Sequence, residues 1–426
     1  MKSRILTCIT GMTLFTALAM PVRIAAQVKS PQAEEPKQYT VTDLGTLEGG
    51  TFSQPFSINK IGLVAGSGTL PDGAMQAVVW LKGLEADIGA PGLGGPNSIA
   101  FGDNNAMQTV GEAETSTPDP NGEDFCGFGT HLTCLPFLWE QGVMTALPTL
   151  EDKKEATKGN NGVANMINNL GDVAGYAENG TPDATCPAPE VDHFEPVVWE
   201  KGKIRELRTF RGDPDGVAMG INDSGQAVGA SGTCAPLNPN TFLNLVARHA
   251  LLWDKDTVTD LGNLGGETGK AGGNLAFDLN NRGQVVGISD LPGDTTFHAF
   301  QWTKAKGMRD LGTLSGDVAS LAIAINDADE VVGESLDASG NPRAYLWQNG
   351  EMTELNTLIP ADSPLFLLFA CSINSHGDIV GVAATAAGEL HTYLATPVQG
   401  DAGSKIGSEN ARPASIGVTK LVRSFR

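Results

Sequence analysis

Short apolar segments recur along the chain between glycine and asparagine turns, and they are rich in β-branched residues. One segment has the form I-N-x-x-G-x-V-V-G. It occurs seven times, and its asparagine always lies seven residues before its last glycine. These asparagines are Asn59, Asn104, Asn168, Asn222, Asn280, Asn326 and Asn374. Brief apolar runs bounded by turn residues are typical of strands. The chain is therefore predicted to consist of seven β-rich repeats.

Each repeat predicts four strands, which we name A to D. Strand A ends at the Ile-Asn pair, strand B holds Val-Val-Gly, strand C ends at a tryptophan, and strand D carries Asp-Leu-Gly or a variant of it. The residues that close strand C are Trp80, Trp139, Trp199, Trp253, Trp302, Trp347 and, in the seventh repeat, Ala395. Asparagine followed three residues later by glycine predicts a tight A–B hairpin, because glycine takes a positive φ easily. Met107 and Asp329 replace that glycine in repeats two and six, so we expect altered turns there.

Four antiparallel strands per repeat at this period predict an all-β fold, a seven-bladed β-propeller of four-stranded antiparallel blades. Strand A is predicted to be innermost because one of its positions holds a small residue or proline in every repeat. These residues are Pro55, Ala100, Ala164, Ala218, Ala276, Ala322 and Ala370. The tryptophans are then expected in the core between blades.

The two ends of the array are complementary. The last repeat has no D strand after Tyr393, whereas an unpaired D strand from Tyr39 to Gly45 precedes the first repeat. We therefore predict that the ring is closed by the N-terminal strand pairing with the C-terminal blade. Such pairing removes strand edges that would otherwise be exposed.

Residues 1–26 are predicted to be a secretory signal peptide. Lys2 and Arg4 precede an apolar run from Ile5 to Met20, and the segment ends in small residues at Ala26. A membrane anchor is the alternative, but the run is short and contains threonines. The other predicted units are a linker over residues 27–38, the propeller over 39–398 and a flexible tail over 399–426. The protein is then secreted or periplasmic, with no transmembrane segment after signal removal.

The tripeptide His298-Ala299-Phe300 before Trp302, with Asp310-Leu311-Gly312 after it, resembles the HAF-family extracellular repeats over about residues 39–398. The resemblance implies export and a repeat fold, and it implies no activity. At the histidine position the other repeats have Gln76, Leu135, Glu195, His249, Arg343 and His391. This variety argues against a catalytic role for the histidine.

Net charge excludes one class of partner. Acidic residues number 49 against 28 basic residues, which gives a formal net charge of −21. A surface of this sign repels phosphate backbones, so nucleic-acid binding is excluded. The charge also favours solubility outside the cell, and we expect a monomer.

Repeats two, three and four carry insertions between strands B and C, over about residues 112–135, 177–195 and 230–248. These loops must project from one face of the propeller, which also carries the D–A loops. Long loops grouped on a rigid scaffold commonly bind ligands, although they could equally be ornaments. The candidate ligand-binding residues are Phe125, Phe128, His131, His193 and Phe242.

Four cysteines lie in the insertions: Cys126, Cys134, Cys186 and Cys234. In an oxidising compartment they indicate disulfides, with Cys126–Cys134 within one loop and Cys186–Cys234 between neighbouring blades, although sequence does not fix the pairing. The alternative is a metal site that joins Cys186 to His193, or Cys126 and Cys134 to His131. Cys371 stands where other repeats have Phe or Ile, so we interpret it as a buried free thiol.

Acidic residues occur in six of the D–A loops: Glu48, Glu151, Asp213, Glu267, Asp317 and Asp362. A ring of carboxylates at the channel mouth could hold calcium, and the candidate ligands are Glu48, Asp213, Glu267 and Asp317. The alternative is that these acids are solvated loop residues. The segment Asp119-Pro120-Asn121-Gly122 looks like the start of a calcium loop, but its later ligands are out of register.

No G-x-S-x-G, H-E-x-x-H or phosphate-loop motif is present. We therefore interpret the chain as an exported binding or scaffold module whose ligand is a carbohydrate or a protein and which needs no cofactor, except for the calcium above. The alternative is an extracellular polysaccharide lyase or glycoside hydrolase with catalytic residues gathered at the channel mouth.

Overall fold

A computed structural model describes residues 37–152, 157–186, 191–234, 245–398 and 414–415. These residues form strands, turns and one 3-10 helix, Leu355–Thr357. The strands build seven antiparallel blades of a β-propeller. In six blades the chain runs from the innermost strand A outward to strand D, and in the seventh the outermost strand comes from the N-terminal end of the described chain. The predicted fold class is confirmed.

The strands are numbered in chain order. β1 (Tyr39–Gly45) comes first. Blade 1 holds β2 (Ser53–Ile58), β3 (Val64–Thr69), β4 (Met75–Leu81) and β5 (Leu84–Asp87). Blade 2 holds β6 (Gly94–Asp103), β7 (Thr109–Pro118), β8 (Leu132–Glu140) and β9 (Val143–Ala146). A hairpin of β10 (Glu151–Asp152) and β11 (Thr157–Lys158) follows. Blade 3 holds β12 (Gly162–Ile167), β13 (Val173–Pro182), β14 (Asp192–Glu200) and β15 (Lys203–Glu206).

The second half continues the order. Blade 4 holds β16 (Asp215–Ile221), β17 (Gln226–Cys234), β18 (Leu245–Asp254) and β19 (Thr257–Asp260). Blade 5 holds β20 (Leu275–Leu279), β21 (Val285–Asp290), β22 (Phe297–Thr303) and β23 (Gly307–Gly312). Blade 6 holds β24 (Ala319–Ile325), β25 (Val331–Leu336), β26 (Pro342–Gln348) and β27 (Glu351–Glu354). Blade 7 holds β28 (Leu365–Leu367), β29 (Ser372–Ile373), β30 (Ile379–Thr385) and β31 (Leu390–Pro397). β32 (Ala414–Ser415) pairs in parallel with β5.

The ring closes as predicted. β1 pairs antiparallel with β31, from Tyr39 opposite Pro397 to Asp43 opposite Tyr393, and so supplies the missing D strand of blade 7. Tyr39 is buried in the core cluster between blades 6 and 7. Leu44 is buried in the cluster between blades 7 and 1, beside Trp80. One N-terminal strand therefore contributes to two blade interfaces.

The repeated asparagines form a closed ring of hydrogen bonds around the propeller. Each side-chain Nδ2 donates to the backbone carbonyl of the equivalent asparagine in the next blade, at 2.7 to 3.1 Å. The last step runs from Asn374 back to Asn59. Each Oδ1 also accepts the backbone N–H groups two and four residues later, as it does from Arg282 and Gln284 at Asn280. The asparagine therefore fixes its own hairpin and the next blade together.

Replacement of one ring asparagine should be costly. We expect Asn280→Ala to lower the free energy of unfolding by about 3 kcal/mol, because it leaves two N–H groups and one carbonyl without their partner. Asn280 is buried, whereas its neighbour Asn281 is exposed and bonds to the exposed Asp327. Asn281→Ala is therefore the control and should cost less than about 1 kcal/mol. Urea unfolding measures both, and equal costs would contradict a structural role for the ring.

One sequence expectation about the hairpins is wrong. Met107 and Asp329 take φ values of 61° and 69°, in the same left-handed region as the glycine of the other repeats. Their N–H groups bond to the carbonyls of Asn104 and Asn326, as in the glycine-containing turns. The turns are therefore unaltered, because the asparagine Oδ1 holds each loop in shape whatever residue occupies the glycine position.

Close contact explains the last glycine of each repeat. A β-bulge in strand A brings a carbonyl against strand B in six blades. A Cβ on Gly175 would lie 2.0 Å from the carbonyl oxygen of Val163, and one on Gly333 would lie 1.9 Å from that of Leu321. No larger residue fits there. The bulged residues are half-buried and contact one another between blades, as Phe56 and Phe101 do with ring centroids 4.9 Å apart.

The tryptophans pack between blades, as expected. All six are buried, and each belongs to a cluster that also contains residues of the preceding blade. Trp199 and Trp253 also donate Nε1–H to carbonyls of the preceding blade's outer end, both at 2.8 Å. These residues are therefore structural.

The predicted signal peptide, residues 1–26, falls outside the described part of the chain, and so does nearly all of the predicted tail. Within the described part, no helix has the length and apolar character needed to span a bilayer.

Candidate functional site

The B–C connections of blades 2, 3 and 4 extend one face of the propeller, which we call the insertion face. The hairpins β7–β8, β13–β14 and β17–β18 use strands of 9 or 10 residues, whereas β21 and β25 have 6. The longer strands lift the insertions above the blade bodies. Because the blades are antiparallel, the D–A loops emerge on the same face. The A–B hairpins lie on the opposite face, which we call the turn face.

Two disulfides brace the insertions, and both suggested pairings are confirmed. Cys126 and Cys134 close the loop of blade 2, with their Cα atoms 6.1 Å apart. Cys186 in the insertion of blade 3 is bonded to Cys234 at the end of β17 in blade 4. Cysteines in disulfides provide no thiolate for a metal. Cys371 is free and half-buried, and burial, with a smaller contribution from Glu334, raises its pKa.

His193 lies between two carboxylates at the junction of blades 3 and 4. Its Nδ1 is 3.1 Å from Asp215 Oδ1 and 3.6 Å from Asp183 Oδ2. The hydrogen bond to Asp215 is the main reason that the pKa of His193 is raised. Asp215 is fully buried and also accepts the N–H of Cys234 at 2.9 Å. The imidazole is therefore oriented through Nδ1, while Nε2 has no hydrogen-bond partner among the described residues.

Glu195 stands two residues along β14 and has a different environment. Burial raises its pKa to about 8, and the charges of Glu206 and Asp215 add to the effect. Glu195 therefore holds its proton at neutral pH. A protonated carboxyl beside an oriented histidine is an arrangement that acid–base chemistry can use.

The histidines of the repeat motif have another role. His298 Nδ1 lies 2.9 Å from Asp310, and His391 Nδ1 lies 2.9 Å from Asp43. In blade 6, Arg343 takes the histidine position and bonds to Glu354. Each of these pairs joins strand C to the carboxylate of strand D in the same blade. Burial raises the pKa of Asp310, but bonds from His298 and a backbone N–H outweigh it and lower the pKa overall. The pairing indicates a structural role.

The sequence-predicted calcium ligands lie in unlike surroundings. Asp213 is bonded to Ser231 and to His249, each at 2.7 Å. The side chain of Asp317 is buried and lies 2.7 Å from Arg343. Glu48 and Glu267 are exposed. A calcium site on Glu48, Asp213, Glu267 and Asp317 stays a prediction, although two of its members already have basic partners.

The predicted ligand-binding residues fall into two groups. Phe125 packs against Tyr176 of β13 with ring centroids 5.8 Å apart, so it holds the insertion of blade 2 against blade 3. Phe128 is half-buried and His131 is exposed, with Nδ1 2.9 Å from the carbonyl of Gly122. Phe242 lies in residues 235–244, for which no structure is described. Ligand binding by these residues stays a prediction.

A buried carboxylate cluster between blades 2 and 3 went unrecognised in the sequence. It comprises Asp119, Glu123, Glu178 and Asp192, each less than a tenth exposed. The Asp-Pro-Asn-Gly segment was a partial signal for it. Glu178 and Asp192 could not be connected to that segment, because they lie in the next repeat.

No family model and no curated protein matches the chain. Among solved structures, a puromycin-hydrolysing peptidase of Mycobacterium tuberculosis is similar with a TM-score of 0.45 and 11% identity, over 84% of this chain and 55% of the peptidase. The chain thus spans about half the length of that protein. A mutant of AofleA from Arthrobotrys oligospora aligns with a TM-score of 0.30 and 9% identity, over 76% of this chain and 92% of that one. Similarities this low indicate no function.

Proposed function

We propose that the chain is an exported binding module of the HAF type, and that its insertion face over blades 2 to 4 binds a carbohydrate. The observation that carries the proposal is the disulfide between Cys186 and Cys234, which joins the insertions of two neighbouring blades. Disulfides of this kind also fit an oxidising compartment.

The rigidity of the insertions favours a ligand-binding role over loops that have no function. A loop that is already rigid loses less conformational entropy when a ligand binds, so more of the contact energy becomes affinity. The insertions are held by two disulfides and by the packing of Phe125 on Tyr176. The insertion of blade 2 also carries the half-buried ring of Phe128 and the exposed imidazole of His131. Aromatic faces beside polar groups suit the alternating apolar and hydroxyl surfaces of sugars.

Binding can be tested with a glycan array. We expect at least one class of polysaccharide to bind the purified chain, and Phe128→Ala with His131→Ala to weaken that binding by about tenfold or more. Leu170→Ala is the matched control, because Leu170 is an exposed apolar residue in an A–B turn on the turn face. Its binding should equal that of the parent. Absence of any glycan binding, or equal losses in both variants, would discard the proposal.

A polysaccharide lyase or glycoside hydrolase is the second candidate, favoured by the geometry of His193. In this function His193, oriented by Asp215, is the base, and protonated Glu195 is the acid. The glycans that bind in the array are then incubated with the chain and assayed for new reducing ends. Turnover that His193→Ala abolishes, with binding retained, supports the enzyme, and bound but uncleaved glycans support the binding module.

A further inference from the structure

Three side chains of metal-ligating types converge where the insertion of blade 3 meets blade 4. Asp183 directly follows β13, His193 lies in β14, and Asp215 is the first residue of β16. Each offers one ligand atom, and these three atoms lie within 4.8 Å of one another. The side chains of Asp183 and Asp215 are 2% and 0% exposed, and that of His193 is 23% exposed. Two carboxylates and one imidazole thus share a small enclosed space between two blades.

The spacing of these atoms matches the ligands of a zinc ion. Zinc bonds imidazole nitrogen and carboxylate oxygen at about 2.0 to 2.2 Å in a tetrahedron, so neighbouring ligand atoms lie about 3.4 Å apart. His193 Nδ1 is 3.1 Å from Asp215 Oδ1 and 3.6 Å from Asp183 Oδ2. The two distances at Nδ1 therefore bracket the value that zinc requires.

Neighbouring groups already orient both carboxylates. Asp183 Oδ1 accepts the N–H of Thr185 at 2.7 Å, and the Thr185 hydroxyl lies 2.8 and 2.7 Å from Oδ1 and Oδ2. Asp215 Oδ2 accepts the N–H of Cys234 at 2.9 Å, which turns Oδ1 toward the imidazole. Cys234 is bonded to Cys186, whose N–H donates to the backbone carbonyl of Asp183 at 3.2 Å. The disulfide therefore joins the two segments that carry the carboxylates, and contacts of this outer kind strengthen metal binding.

The charge of the cluster favours a bound cation. Two carboxylates face one imidazole, and among the described residues no lysine or arginine forms an ion pair with Asp183 or Asp215. Removal of charges from water is costly unless opposite charge compensates for it. A protonated His193 supplies one positive charge, whereas a divalent ion on the neutral imidazole supplies two and balances both carboxylates.

We propose that Asp183, His193 and Asp215 bind a zinc ion that joins the insertion of blade 3 to blade 4. An imidazole nitrogen beside carboxylate oxygens suits zinc better than calcium or magnesium, which prefer oxygen ligands alone. Three protein ligands leave a fourth position for water. The imidazole is the most exposed of the three side chains, so it is the part of the cluster that solvent reaches.

The zinc site goes beyond the proposed carbohydrate binding and does not depend on it. It uses none of the four residues predicted to bind calcium. Zinc on Nδ1 leaves the ring proton on Nε2. A chain with an occupied site therefore cannot use His193 as the base of the second candidate function.

Titration calorimetry and thermal unfolding of the chelator-treated chain test the site. We expect one zinc ion to bind per chain, and free zinc at about a hundred times the Kd to raise the melting temperature by roughly 5 °C. Asp183→Asn and Asp215→Asn remove one carboxylate each, from different blades, and keep the side-chain shape. Loss of an outer partner of a metal ligand weakens binding about tenfold to a hundredfold, so loss of a ligand should weaken it about a hundredfold or more.

The melting temperature in chelator separates loss of the site from loss of the fold. Asp183→Asn should melt close to the parent there, because asparagine keeps an acceptor for the N–H of Thr185. His298→Gln is the matched control. His298 also has a contact through Nδ1, at 2.9 Å, but among the described residues it pairs with one carboxylate only, that of Asp310. This variant should keep the full zinc response.

Three outcomes would overturn the proposal. The first is a parent chain that binds no zinc at submillimolar concentration, which would leave protonated His193 as the cation of the cluster. The second is an Asp183→Asn or Asp215→Asn variant that binds zinc as tightly as the parent. The third is loss of the zinc response in His298→Gln.

Discussion

Deletion of residues 27–46 is expected to abolish the cooperative thermal transition of the whole propeller. The deletion removes β1, which is the outer strand of blade 7. The deletion also removes two buried side chains. Tyr39 is 1% exposed and packs between blades 6 and 7, and Leu44 is 4% exposed and packs between blades 7 and 1. The ring opens, and β31 becomes an unpaired edge that favours aggregation. Circular dichroism and light scattering during heating measure both effects.

Substitutions within β1 show whether its buried side chains or merely any change in this strand cause the destabilisation. Thr40 and Thr42 are exposed on the same strand, so Thr40→Ala with Thr42→Ala should melt close to the parent. Tyr39→Ala with Leu44→Ala should be destabilised by several kcal/mol, since each truncation leaves a cavity in a blade interface. A deletion protein that melts like the parent would show that the ring does not depend on β1.

Removal of the disulfide between blades should have the second largest effect. Cys186 and Cys234 are 48 residues apart, and loop-closure entropy gives a loss of about 4 kcal/mol for Cys186→Ser with Cys234→Ser. Cys126 and Cys134 are only 8 residues apart, which gives about 2.5 kcal/mol for Cys126→Ser with Cys134→Ser. The ranking follows because a longer closed loop restricts the unfolded chain more.

Denaturant unfolding without a reductant, which leaves the parent's two disulfides intact, measures the two losses. The Cys126/Cys134 pair serves as the internal control, because it removes the same number of sulfur atoms from the same face. A larger loss for this short pair would contradict the entropic account. Equal binding by the parent and the Cys186→Ser/Cys234→Ser variant would also weaken the claim that this disulfide preorganises the ligand surface.

The candidate site was only partly visible in the sequence. The long B–C connections showed where the repeats differ from one another. The cysteines within these connections indicated two disulfides, because an exported protein folds in an oxidising compartment. Three features were missed. Asp215 could not be assigned to His193, the carboxyl of Glu195 could not be seen to hold its proton, and Glu178 could not be joined to Asp119. Each depends on contacts between strands 22 or more residues apart or on burial, and neither is encoded in local spacing.

The sequence by itself determined the number of blades, the order of their strands and the strand that closes the ring. It could do so because the same hydrophobic and turn pattern occurs seven times, so a strand that is unclear in one repeat is identified from its equivalents in the others. Even the turns at Met107 and Asp329 follow the common pattern, since Asn104 and Asn326 hold them. Only the tertiary structure decided what the insertions enclose. These loops have no repeat to reveal their partners, and the charges on Glu123 and Glu178 matter only once blade packing has removed them from water.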